Sequence, residues 1–79
     1  MKLEARMRDF FDRHVTKLIV DKDGLDERVA LNEFLQSESY RMLLDKTLEI
    51  YSMSPLAVFD MWENEKVTGN PRNSVYIRA

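Results

Sequence analysis

The sequence predicts an all-α fold, a small orthogonal bundle of about four short helices, on three observations. Residues 54–69, SPLAVFDMWENEKVTG, carry complete start and stop signals for a helix. Apolar residues elsewhere recur at helical spacing. Glycine and proline number only two each, which favours helices with short connections.

The first helix is predicted over 2–20. At about 100° per residue, Leu3, Met7, Phe10, Phe11, Val15, Leu18 and Ile19 fall in one arc. That arc covers about half the circumference, against the ~100° stripe a surface helix needs. The excess makes this first helix a candidate for self-association, with Met7, Phe10, Phe11 and Ile19 as partner contacts; the alternative is that the rest of the chain covers them. Lys2, Arg6, Arg13 and Lys17 align on the far side as a basic stripe. Residues 21–24, DKDG, are expected to form a turn. Their spacing invites comparison with a calcium loop, but Leu25, Asp26 and Asn32 stand where that loop needs its third ligand, its glycine and its bidentate glutamate.

A second helix is predicted over 25–36, with Ala30, Leu31, Phe34 and Leu35 as its stripe. The next stripe, Tyr40, Leu43, Leu44 and Leu48, is rotated by roughly 150° on a continuous helix. One straight helix cannot aim both at one core, so a break is expected at 37–39, where either Ser37 or Ser39 can cap a third helix. That helix is expected to end near 45. Over 47–53 the alternation Thr47-Leu48-Glu49-Ile50-Tyr51 leaves two alternatives, an irregular segment or a minor extended one paired with 75–77.

The last helix, 54–68, is the expected centre of the fold. Ser54 can accept a bond from an orphan N–H, Pro55 suits the first helical position, and Gly69 can close the far end in a left-handed conformation. Leu56, Ala57, Val58, Phe59, Met61 and Trp62 make its first two turns apolar nearly all round, the pattern of a buried helix. Trp62 reads as core in preference to a partner anchor. The tail, 70–79, is expected to be extended or partly disordered, with Val75, Tyr76 and Ile77 docking on the domain or on a neighbour.

A chain of 79 residues is expected to form a single domain over 1–79 with a small core. It has no cysteine, which excludes disulfides and thiolate metal sites. The N-terminal stretch mixes acids and bases and matches neither a signal peptide nor a membrane span, so a cytoplasmic protein is expected, without membrane contact. Charge is uneven: residues 1–20 carry five bases and three acids, residues 21–65 four bases and eleven acids. Basic ends could fold back on an acidic middle or pair with that of another copy.

Catalytic signals are sparse. His14, the only histidine, falls near the middle of the apolar arc of the first helix. It could act as an acid or base, or as a pH-sensitive contact at an interface, but a packed histidine bonded through one nitrogen explains it more simply. Asp60, Glu63 and Glu65 read as a solvated helix face. With Gly24 and Gly69 as the only glycines, no phosphate loop or dinucleotide fingerprint exists. No enzyme, cofactor or metal is expected. The expected function is a non-enzymatic protein-interaction or regulatory module that binds another protein or a second copy of itself. Its partner contacts would be Met7, Phe10, Phe11, His14, Ile19 and Tyr76. The alternative is a helix-turn-helix-like nucleic-acid binder contacting phosphates, or an acidic partner, through Lys2, Arg6, Arg13 and Lys17. Against this, the helix placed to read a groove carries Asp60, Glu63 and Glu65.

Overall fold

Among the described residues, side-chain caps start three of the four α-helices, and glycines close the ends of the first and the last. The computed structural model describes residues 3–77, and over them the fold is all-α. Four α-helices are described: α1 (Ala5–Asp23), α2 (Glu27–Leu35), α3 (Glu38–Leu44) and α4 (Pro55–Thr68). α1 has no side-chain cap at its start, but Gly24 closes its end with φ +69° and donates its N–H to the Val20 carbonyl at 3.0 Å. The first helix therefore runs three residues further than its apolar arc suggests. Asp26 caps α2 by accepting from the Arg28 N–H at 3.0 Å. Ser37 is the hinge between α2 and α3. Its hydroxyl donates to the Phe34 carbonyl at 2.7 Å and accepts from the Tyr40 N–H at 3.1 Å, so one side chain ends one helix and starts the next.

Residues 47–53 form no strand, and the extended alternative is corrected. Residues 47–52 lie in two 3-10 turns, Lys46–Leu48 and Ile50–Ser52, joined at Glu49 with φ +56°, and Met53 leads out of the second with extended backbone. Asp45 drives the first by accepting from the Thr47 N–H and hydroxyl at 3.0 and 2.6 Å, which holds its carboxyl pKa below the ordinary value. Alternating side chains here reflect tight turns, of which only Ile50 is buried. Over residues 70–77 the tail is turned. Asn70 caps a further 3-10 turn, Pro71–Asn73, which packs against α4, and Ile77 lies against the core. Val75–Ile77 pairs with no strand.

α1 packs against α2 and α4, and α4 also holds α3 and the last 3-10 turn. The core draws Phe11, Val15 and Ile19 from α1, Phe34 from α2, Leu43 from α3, and Val58, Met61 and Trp62 from α4. The Cα radius of gyration is 11.5 Å, against about 11.6 Å for a folded chain of this length. None of the described helices is long and apolar enough to cross a membrane.

α4 spans 55–68 as its caps require: Ser54 accepts from the Ala57 N–H at 3.3 Å and Gly69 takes φ +82°. Its apolar girdle is incomplete, since Leu56 is 52% exposed. Its acids, expected to be a solvated face, are instead tied to other elements. Glu63 accepts from Lys22 of α1 at 2.7 Å, which raises the ammonium pKa, and Lys66 donates to Glu33 of α2 at 2.8 Å. Asp60 accepts from the Ser74 hydroxyl in the tail. Glu65 reaches the start of α3, accepting from the N–H groups of Glu38 and Ser39 at 2.9 and 2.8 Å and from the Ser39 hydroxyl at 2.8 Å. A carboxylate at a helix N-terminus meets both orphan donors and the positive end of the dipole. Ser39 is fully buried, so losing this acceptor strands its donors. Glu65→Ala should lower the unfolding free energy by about 2 kcal/mol in urea titration, and Glu65→Gln, which keeps one acceptor oxygen, by less.

Candidate functional site

α1 buries one row of side chains and leaves a flank exposed on either side. Phe11 and Ile19 belong to the buried row, at 1% and 0% exposure, which removes them from the expected partner contacts. Phe10 and Met7 stay outside at 43% and 37%. His14 is exposed as well, so the expectation of a packed histidine is corrected. Its ring lies against Phe10, with centroids 4.4 Å apart at 49°, while Phe10 meets the buried Phe11 edge-on at 5.5 Å. Phe10 thus stands on a fixed base with one face turned outward. Met7, Phe10 and His14 follow one another at helical spacing on this flank. Tyr76 is exposed too, but it borders a separate recess of about 290 Å³ with Met42, Leu48, Met53 and Arg72. The structure does not bring it to the α1 flank.

The basic stripe is partly used within α1. Arg13 Nε lies 3.3 Å from the Asp9 carboxylate and Lys17 Nζ 3.4 Å from that of Asp21. Arg6 is exposed, and Lys2 lies outside the described residues.

The other flank faces α2 across a groove of about 560 Å³ that sequence reasoning did not find. Val20, Leu31 and Leu35 supply its apolar walls, and Asp9, Asp12, Asp21 and Glu27 its acids. Leu31 and Leu35 were expected in the core; Leu35 is 40% exposed here. Thr16 is 5% exposed, and its hydroxyl has no hydrogen-bond partner; neither has the buried Oδ1 of Asp12 one turn before it. The available signal was Asp12 and Thr16 at i,i+4 beside the apolar arc. Burial pushes the Asp12 carboxyl pKa up. The nearby Tyr40 hydroxyl of α3 pulls it down, the Asp9 charge adds to the rise, and Arg8 opposes it. Arg8 sits close by without an ion pair to Asp12, and its Nε is also buried and unpaired.

Among the described residues no group of three or more His, Cys, Asp or Glu side chains converges as a metal site. Comparison with protein-family models, with curated proteins and with solved structures finds no match.

Tyr40 carries a consequence of the same cluster. Burial, then the Asp12 charge, pushes its phenol up from 10.0 to about 12. A proton held more tightly in the folded state stabilises it below pH 10, and that stability is lost as pH rises from 10 to about 12. Ultraviolet titration should resolve one of the three tyrosines ionising only near pH 12, and Tyr40→Phe should remove that step.

Proposed function

We propose that this chain is a non-enzymatic protein-binding module that associates with a second copy of itself through the Met7–Phe10–His14 flank of α1. One observation carries the reading: Phe10 keeps 43% of its surface exposed while its neighbour Phe11 is buried and holds it in place. Single exposed apolar residues are ordinary on a protein surface. A phenylalanine between a methionine and a histidine on one helical flank is a contiguous patch, the kind of surface that pairs with its own copy across a two-fold axis. Aromatic anchors at such a centre supply much of the binding energy. A small domain also gains proportionally more from added burial than a large one.

The nucleic-acid reading draws on Lys2, Arg6, Arg13 and Lys17. It has less support, because Arg13 and Lys17 each share a carboxylate on their own helix. No observation favours it over the apolar flank.

Sedimentation equilibrium tests the self-association. The wild-type chain should show a concentration-dependent dimer. Phe10→Asp should weaken it about thirtyfold, which corresponds to ~2 kcal/mol, without shifting the thermal midpoint of the monomer. A wild-type chain that stays monomeric throughout, or a Phe10→Asp variant that dimerises equally well, would contradict the reading.

A further inference from the structure

We propose that the groove between α1 and α2 is a second binding site, which takes a peptide segment carrying a lysine or arginine beside an aliphatic residue. The inference is independent of self-association through the opposite flank.

Charge selects the cation. Of the groove's acids, Asp9 and Asp21 already hold Arg13 and Lys17, at 3.3 and 3.4 Å. Among the described residues, Asp12 and Glu27 take part in no ion pair. The groove therefore keeps uncompensated negative charge although it is lined by two bases.

A separate observation points to where the cation sits. Thr16 is 95% buried, lines the groove, and has a hydroxyl without a partner. Asp12, one turn away on the same face, has a buried carboxylate oxygen in the same condition. Side chains four apart on a helix stand about 5–6 Å from each other at Cβ, so one ammonium or guanidinium can donate to both. Unpaired buried groups of this kind are costly in a folded protein, and a multivalent donor removes that cost for the pair at once. Tyr40 bonds to the Asp12 carboxylate and the Arg8 charge lies near it, but Asp12 Oδ1 keeps no hydrogen-bond partner from either.

Shape selects a peptide over a lone amine. The groove lining follows α1 from Asp9 to Asp21, about 18 Å of helix. Val20, Leu31 and the part-exposed Leu35 offer an apolar wall that a bare polyamine does not use. An aliphatic neighbour of the cationic residue, and the methylenes of that residue itself, do.

The test is a titration of the full chain with a short fluorescent peptide of alternating leucine and lysine. Fluorescence anisotropy gives the affinity, and amide chemical shifts give the location. Shifts should concentrate at Asp12, Thr16, Leu31 and Leu35. Asp12→Asn should weaken binding about tenfold and Thr16→Val about threefold. Leu35→Gln, a surface change that leaves the core intact, should weaken it about threefold. Glu4→Gln, which alters an exposed acid that makes no cap bond, should leave it unchanged. Four results would overturn the proposal: equal losses for Glu4→Gln and Asp12→Asn, equal binding of a peptide with glutamine for lysine, spermidine binding as tightly as the peptide, or shifts centred away from the groove.

Discussion

A seven-residue helix cannot hold itself together in water, because nucleation costs more than one or two turns return. α3 persists because the Glu65 carboxylate, carried on another helix, takes the orphan donors at its start. That contact sets the angle at which α3 meets α4 and brings Leu43 and Tyr40 into the core. Around it, Glu63, Lys66 and Asp60 tie α4 to α1, α2 and the tail. Exposed pairs of this type add little energy singly. Their value is in register: each connects α4 to a different element, so the helix that carries much of the core also fixes the positions of its neighbours.

This commitment shapes where the protein can meet others. α4 has the only tryptophan and a dense acidic run, and in isolation it looks like the recognition element. In the fold its tryptophan is buried and its acids hold groups on neighbouring elements, which leaves α1 as the helix with exposed flanks of distinct chemistry. One is aromatic and apolar around Phe10. The other is acidic, with an aliphatic wall and two unpaired oxygens at Asp12 and Thr16. The binding role proposed above draws on these two flanks.

Local chemistry made much of the fold legible. Ser54, Pro55 and Gly69 act within a few residues of themselves, so the limits of α4 follow from the sequence alone. Ser37 was one of two serines able to start α3; the other, Ser39, serves Glu65, a choice that depends on a helix twenty-six residues away. The apolar arc of α1 was visible, but periodicity cannot say which neighbour covers which edge. Phe11 and Ile19 went inward, while Phe10, one position away, stayed out. At 47–51 β-favouring residues alternate, yet the Asp45–Thr47 bonds close a turn before any strand can form. The groove was illegible for a similar reason. Thr16 and Asp12 become significant only once α2 and α3 cover them and leave their oxygens unpaired.

Hydrogen–deuterium exchange of the wild-type chain, compared between dilute and concentrated solution, tests most directly whether α1 is the face turned to partners. Amides of α1 from about Met7 to His14 should gain protection on concentration, while those of α4 stay unchanged. Protection gained along α4 instead, or none gained in α1, would contradict the account.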